Sequence, residues 1–257
     1  MAVMDEFREE REAMKHSTPK QKLEYFWLYY KWHLIIAVVA IVAITSFIYT
    51  TVTKKETALY ALFLNSFVSA EDNAEAYKQR FLDTTEINSD KYEVLVNTSL
   101  YLNPSSSGEN SYNTVQMVNV YVAAGEIDLL CADRAAFEYY AYLGYLNNLR
   151  DMLTPEQIEK YSPYFYYIDG EVLAAKLKAA ENFDDSEDYT FTYPDPSKPE
   201  EMADPIPIGI FLDNASKDFT STYLFDNSNS SAIGFVINGQ HLENAQAFVD
   251  YIFTTAE

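Results

Sequence analysis

The chain has 257 residues, a formal net charge of −21, a hydrophobic content of 48% and one cysteine. The apolar content excludes a disordered chain, and the acid excess argues against nucleic acid as a partner, because phosphates would be repelled. A single cysteine excludes an internal disulfide, which disfavours a secreted eukaryotic domain.

The first 31 residues are predicted to be a cytoplasmic helical segment. Residues 1–16 place opposite charges at helical spacing, which predicts a short solvated helix or, as an alternative, a partner-binding helix. Thr18 suits an N-cap and Pro19 a first helical turn. Because no glycine or proline lies between Lys20 and Thr53, we expect one continuous helix from about Pro19.

Residues 32–53 are predicted to be a transmembrane helix. These 22 residues carry no formal charge, and a helix of that length reaches roughly 33 Å, enough for a hydrocarbon core of about 30 Å. The following stretch, "YTTVTKKETAL", offers no cleavage site of the A-x-A type. The sequence therefore indicates an uncleaved signal-anchor.

The stretch "YFWLYYKWHLII" is predicted to be an aromatic belt at the membrane interface, because Trp and Tyr prefer the headgroup level. Its interface residues are Tyr25, Phe26, Trp27, Tyr29, Tyr30 and Trp32. Lysines are more frequent before the span than after it, and residues 54–257 carry 12 basic and 33 acidic side chains. We therefore expect a single-pass protein of the cell membrane with a cytoplasmic N-terminus and an extracellular domain.

Residues 57–257 alternate between strand and helix patterns. Strands are predicted at 57–67, 91–100, 126–132, 206–212 and 231–238, and helices at 70–84, 112–125, 133–146, 155–161, 214–225 and 241–257. Within 161–183 the sequence indicates a turn at Asp169-Gly170, which could close a hairpin, and then a helix; a loop that could hold one strand, "YTFTY", follows. This alternation predicts an α/β fold with a doubly wound, mostly parallel sheet. Residues 155–205, Pro-rich and acidic towards their end, are expected to form an inserted or reduced second lobe.

Two stretches resemble the extracellular solute-binding proteins of bacterial ABC transporters, which have the type 2 periplasmic-binding fold. The first, 123–161, contains Gly125, Asp128, Gly144, Leu146 and Leu149; the second, 238–257, contains Ala245 and the pair Phe248-Val249. Together they cover about a quarter of the chain. The resemblance implies one lobe of that fold. A single span followed by an acidic domain also resembles small membrane proteins of Gram-positive-type bacteria.

The sequence predicts no catalytic residue, metal site or cofactor. His241 is the one histidine after the span, and it is expected to be an exposed residue without a partner at a helix start. A hydrolase would need it. Cys131 lies in a hydrophobic strand and is expected to be buried. The stretch "DDSED" at 184–188 could hold Ca²⁺, but a solvated loop fits it better.

Ligand binding is predicted at the carboxyl ends of strands, where open α/β sheets hold their ligands. The candidate residues are Asn65, Ser66, Asp133, Asp213 and Asn214. The alternative is that Asp133 and Asn214 only cap helices. Tyr164, Tyr166 and Tyr167 could form a stacking wall, or belong to the core or its rim.

Two functions follow as hypotheses. One is a membrane-tethered extracytoplasmic module that binds a small molecule or peptide for a transporter or sensor. The alternative is a non-catalytic structural or assembly subunit of an envelope complex. Both imply two partners, the lipid bilayer and another membrane protein. A cleft between two lobes would favour the first function, and a single lobe with an exposed aromatic patch the second.

Overall fold

The structure, a computed structural model, describes residues 18–105, 108–182, 190–225 and 230–254. The chain divides into two compact units, one that ends at Lys54 and one that begins at Lys55. The charged helix predicted for residues 1–16 lies outside the described residues.

The first unit is a continuous helix, α1, from Pro19 to Thr53, as the sequence predicts. Its apolar part, Tyr30–Thr51, has 22 residues and is long enough to cross a membrane, and none of it is buried within the structure. The hydroxyls of Thr51 and Thr53 donate to the carbonyls of Phe47 and Tyr49, at 2.8 and 2.7 Å. These bonds satisfy polar groups inside an apolar helix. Helix α1 is compatible with a membrane anchor or a signal sequence.

The second unit contains eight strands and eight helices in the described part. The strands are β1 (Glu56–Phe63), β2 (Ser66–Val68), β3 (Tyr92–Asn97), β4 (Leu129–Asp133), β5 (Phe165–Asp169), β6 (Pro205–Phe211), β7 (Tyr223–Phe225) and β8 (Ser231–Phe235). The helices are α2 (Glu71–Thr84), α3 (Glu109–Ala124), α4 (Arg134–Ala141), α5 (Leu149–Met152), α6 (Pro155–Tyr161), α7 (Gly170–Asn182), α8 (Lys217–Thr222) and α9 (Leu242–Phe253).

Six strands form one mixed sheet in the order β3-β1-β4-β8-β6-β5, and β2 pairs with β7 separately. Strand β1 is parallel to β3 and β4, whereas β8 is antiparallel to β4 and β6, and β5 to β6. The predicted α/β class is confirmed, and four of the six strands share one direction. The antiparallel pairs were not predicted. They arise because the chain leaves β6 and enters β8 at the same edge of the sheet, where Phe211 pairs with Ala232.

The sheet is covered on both faces. Alternate residues of β1 enter different cores, because successive side chains of a strand point to opposite faces. Phe63 packs with Phe81 of α2 and Phe248 of α9. Leu62 packs with Val118 of α3 and Phe137 of α4 in the other core. Full burial of each such side chain contributes about 1.5–3 kcal/mol, so the two cores fix the layered arrangement.

Residues 155–205, expected as a second lobe, contribute α6, β5 and α7 to this same unit. The helix expected after the turn at Asp169-Gly170 is α7. Strand β5 ends at that turn, but instead of a local hairpin it pairs with β6 at the end of the sheet. The backbone N–H of Tyr167 donates to the carbonyl of Pro196 at 3.0 Å, and the rings of Tyr142 and Tyr193 stack at 4.3 Å. Residues 190–198 thus run along the outer edge of β5.

Candidate functional site

Asn65 fixes the polypeptide at the carboxyl end of β1. Its backbone is left-handed, with φ 55°, a conformation that Asn tolerates better than most residues. Its side-chain Nδ2 donates to the carbonyl of Leu102 at 2.7 Å, and its Oδ1 accepts from the N–H of Leu102 at 2.7 Å. A second bond from Nδ2 reaches Asp133 Oδ1 at 2.9 Å. The loop after β3 is therefore held against the end of β1.

The structure brings three of the five predicted ligand residues to one edge of the sheet with internal partners. Asp133 caps α4, because Oδ1 accepts from the N–H of Ala136 at 3.2 Å, and it also accepts from Asn65. The hydroxyl of Ser66 is buried and donates to the carbonyl of Phe63 at 3.1 Å. Asn65, Ser66 and Asp133 thus stabilise the carboxyl edge of the sheet through hydrogen bonds within the protein.

Asp213 and Asn214 lie in an exposed turn after β6. The expected alternative for Asn214, a helix cap, is wrong: Ser216 caps α8, its hydroxyl accepting from the N–H of Phe219 at 3.2 Å. Ser216, two residues after Asn214, thus accepts the hydrogen bond from the first turn of α8.

A groove of about 500 Å³ opens at the carboxyl ends of β1 and β3. We call it the carboxyl-edge groove. Its lining residues are Asn65, Ser66, Phe67, Thr98, Ser99, Leu100, Tyr101 and Phe225. None of these eight residues carries a formal charge.

Phe67 and Tyr101 are the exposed aromatic walls of the carboxyl-edge groove, and each is 58% exposed. Phe67 points outward because its neighbours in β2, Ser66 and Val68, turn towards the protein. Tyr101 lies in the loop that Asn65 holds. Sequence reasoning missed these two residues, whose only signal is that each is an aromatic residue close to a polar strand end.

The uncharged surface continues across the loop after β3. A second groove of about 280 Å³ is lined by residues that include Leu102, Asn103, Tyr112 and Tyr139. Its eight lining residues likewise lack formal charge. In a unit that carries 33 acidic and 11 basic side chains, an uncharged aromatic area is a distinct chemical surface.

The tyrosines considered as a stacking wall do not form one. Tyr166 is 1% exposed and packs against Phe137, at 4.9 Å between ring centroids. Tyr167 contacts the opposite core, because it is the next residue of the same strand. Burial raises the pKa of Tyr166, and its hydroxyl has no partner within the described residues.

His241 has a partner, so the expectation of an unpartnered residue is wrong. Its Nδ1 lies 3.0 Å from Asp128 Oδ2, and its side chain is 32% exposed while that of Asp128 is 1% exposed. Asp128 also accepts from the backbone N–H of Tyr60, Gln240 and His241, at 2.8, 2.9 and 2.9 Å. The carboxylate thus joins β1 and β4 to the start of α9.

Other candidates have structural explanations. Cys131 is fully buried, and burial raises the pKa of its thiol, as expected for a packing residue. The acidic stretch 184–188 lies outside the described residues. Within the described ranges, no group of three His, Cys, Asp or Glu residues is placed to hold a metal ion.

A larger depression, about 640 Å³, lies where the C-terminal ends of α2 and α9 meet the start of α8. Its charges are paired with each other or with neighbours. Arg80 donates to both oxygens of Asp218, at 2.9 and 2.7 Å, and Asp250 accepts from the Tyr161 hydroxyl at 2.6 Å. These partners leave the depression less suited to a ligand than the carboxyl-edge groove.

The aromatic belt is partly described. Phe26, Trp27, Tyr30 and Trp32 are exposed on α1, whereas the predictions for the side chains of Tyr25 and Tyr29 lie outside the described residues. The rings of Phe26 and Tyr30 stack at 5.4 Å, and Tyr30 is 6.1 Å from the ring of His33. One side of the helix thus carries a row of three rings.

In comparisons with known proteins, no family model, curated protein or solved structure matches this chain. The residues that carry the resemblance to solute-binding proteins occupy packing positions. Gly125 ends α3 with φ 67°, and Ala245, Phe248 and Val249 are buried on α9. Their burial accounts for these residues through the fold alone.

Proposed function

We propose that this chain is a membrane-tethered, non-catalytic assembly module that binds another envelope protein through the carboxyl-edge groove. The observation that carries the proposal is the pair of exposed aromatic walls, Phe67 and Tyr101, in an uncharged groove on an acidic unit. Buried aromatic anchors supply much of the binding energy in protein interfaces. Exposed apolar patches rimmed by polar residues mark such interfaces.

The acidic surroundings define the chemistry of the partner. Glu71 and Asp72 begin α2 just after β2, and Glu109 begins α3. A partner that inserts apolar side chains between Phe67 and Tyr101, and places lysines or arginines around them, would complement both features. A partner surface with excess carboxylates would be repelled.

The tether in this proposal is α1. Its uncharged length supports a span, the lysine distribution supports a cytoplasmic N-terminus, and the acid excess supports an extracellular second unit. The belt residues then lie at the inner interface of the bilayer. The link from Thr53 to the first strand is the pair Lys54-Lys55, which keeps the second unit near the membrane surface.

Site-specific photocrosslinking in native membranes tests the groove. A photoreactive amino acid at Tyr101 should give a discrete crosslinked protein, whereas the same group at the exposed Tyr164 should not. The product at Tyr101 should disappear in Phe67→Asp, because a carboxylate would replace an apolar wall. Equal products at both positions, or a product at Tyr101 that survives Phe67→Asp, would contradict the proposal.

A small molecule or peptide bound in the same groove is the second candidate. Its volume of about 500 Å³ falls within the range of known ligand sites, and Asn65 and Ser66 line it as predicted for a ligand site. This candidate accords with the resemblance to solute-binding proteins. A thermal-shift screen with sugars, amino acids, peptides and metals tests it, because a ligand of the native state raises apparent stability. A stabilising ligand should lose its effect in Tyr101→Ala.

A further inference from the structure

Strand β3 is the last strand on its side of the six-stranded sheet, so one of its edges has no neighbouring strand. The hydrogen bonds of β1 show which backbone groups lie at that edge. The N–H of Tyr60 donates to the Asp128 carboxylate at 2.8 Å, and its carbonyl accepts from the N–H of Asp128 at 2.9 Å. The backbone of Tyr60 thus faces β4. Because backbone groups of successive strand residues point to opposite sides, Leu59 and Ala61 face β3.

Val94 and Val96 present their backbone groups to the open edge of β3. They lie in register with Leu59 and Ala61. In a parallel pair, a residue that faces the neighbouring strand bonds to the residues before and after its register partner, and the partner itself faces away. The two N–H and two C=O groups of Val94 and Val96 therefore point outward, and none of them has a partner within the described residues.

The two edges of the sheet differ in this respect. At the opposite edge, residues 190–198 run along β5, and the N–H of Tyr167 donates to the carbonyl of Pro196 at 3.0 Å. Strand β3 has no such cover among the described residues, and Glu93 is the one charged residue in it. Open edge strands are templates for a strand of another chain, and proteins commonly block them with charges, proline or a covering segment. The edge of β3 is therefore suited to accept a strand.

We propose that the partner of the carboxyl-edge groove binds as an extended segment that adds a seventh strand to the sheet beside β3. This inference rests on the proposed function and deepens it, because it states the conformation of the partner. Thr98 and Ser99 follow β3 directly and line the groove, so one segment can pair with β3 and continue to Tyr101. Main-chain hydrogen bonds then supply affinity, and the aromatic walls of the groove select apolar side chains.

The side chains of β3 define the chemistry of the added strand. Val94 and Val96 project to the face where α2 and α9 pack, and Glu93 projects to the other face. Cross-strand neighbours stabilise a sheet when apolar groups meet or opposite charges meet. The segment is therefore expected to place a β-branched or aromatic residue beside the valines and a lysine or arginine beside Glu93. A second copy of this chain, with the same net charge of −21, would instead be repelled.

Photocrosslinking along β3 in native membranes tests the conformation of the partner. A photoreactive amino acid at Tyr92 or at Thr98 should capture the same protein as at Tyr101. The control position Tyr164 is as exposed as Tyr92, 38% against 36%, and should capture none. The step from Tyr92 to Thr98 is about 20 Å along a strand, so mass spectrometry should find the two marked partner residues about six positions apart. A spacing of about 13 positions, as in a helix, would overturn the inference.

Val96→Pro tests the backbone of the edge directly. Proline lacks the N–H, and at this position the lost N–H belongs to the open edge and not to the ladder with β1. The crosslinked product at Tyr101 should decrease by at least about fivefold, whereas the matched Val96→Ala, which keeps the N–H, should change it by less than about twofold. Equal yields in the two variants would contradict strand addition. Limited proteolysis of the full chain checks that both variants fold, and the product at Tyr92 needs no change of the backbone.

The outcomes distinguish this inference from the proposed function. A product at Tyr101 without one at Tyr92 refutes strand addition and leaves the carboxyl-edge groove as an interface. Absence of a product at Tyr101 refutes the proposed function, and the inference with it. A product at Tyr92 that contains a second copy of this chain, or a partner segment unrelated to the one marked from Tyr101, overturns the inference.

Discussion

The Asp128 carboxylate and the His241 imidazole lie 3.0 Å apart although 113 residues separate them in the chain. The carboxylate is almost fully buried, and three backbone N–H groups also point at it. Because these donors come from β1 and from the start of α9, this one side chain holds the amino end of β4 to two other elements.

Replacing Asp128 should destabilise the fold far more than replacing His241. Asp128→Ala leaves three backbone donors in a buried place without an acceptor, at about 1–3 kcal/mol for each such group. His241→Ala removes one half-exposed partner and should cost about 1 kcal/mol. Urea unfolding of residues 55–257, followed by circular dichroism, measures both. Equal losses would show that the imidazole carries the interaction.

The same His241→Ala variant should leave any binding function intact, because His241 lies on elements away from the carboxyl-edge groove. Partner crosslinking at Tyr101 is the measurement. Loss of that product without a matching loss of stability would revive a functional role for the Asp128–His241 pair.

The fold should lose stability in acid partly through Asp169. Burial by itself raises the pKa of Asp169, but N–H donors of Ala203, Glu171 and Asp204 outweigh it and lower the pKa. Because its native pKa is lowered, the ionised carboxylate stabilises the fold at pH values above about 4, the ordinary pKa of an aspartate. That contribution is lost as the pH falls from there through the native pKa. Asp169→Asn should flatten the dependence of unfolding free energy on pH below about pH 4. The exposed Asp72→Asn is the control, and an unchanged slope in Asp169→Asn would contradict the assignment.

Gly234 should not tolerate a side chain. A Cβ at this position would lie 2.5 Å from the carbonyl oxygen of Ile208 and 3.1 Å from Phe137 Cζ. Since β6 and β8 are paired there, Gly234→Ala should cost about 1–3 kcal/mol by overpacking. Denaturant unfolding measures the loss, and a variant as stable as the parent would mean that the two strands can separate locally.

The second unit should be outside the cell. Protease added to intact cells should remove residues 57–257 and spare a tag at the N-terminus, if the lysine distribution sets the orientation. Digestion of the N-terminal tag instead, with the second unit protected, would reverse the orientation.

The short link after α1 should matter for partner binding. Inserting about 15 flexible Gly/Ser residues after Lys55 would let the second unit move by tens of ångströms. We expect crosslinking at Tyr101 to decrease, because the groove would no longer stay at a fixed height beside a membrane partner. Unchanged crosslinking would mean that α1 only retains the protein at the membrane.

The sequence by itself determined the features that depend only on residues a few positions apart. The continuous helix from Pro19, the helix at 70–84, the helix that ends at Gly125 and the capping of α4 by Asp133 all follow from spacing and cap chemistry within a few residues. These features need no knowledge of distant residues, so they could be read along the chain.

Only the tertiary structure decided the rest, because it depends on pairs far apart in sequence. The antiparallel pairs of β8 and the placement of β5 depend on which strand ends meet in space. Asn65 was predicted as a ligand residue, yet its amide is used by Leu102 and Asp133, 37 and 68 residues away. Tyr101 lies beside Phe67 in one groove because the bonds between Asn65 and Leu102 hold the loop after β3 against the end of β1, and a contact between such distant segments cannot be read from local spacing.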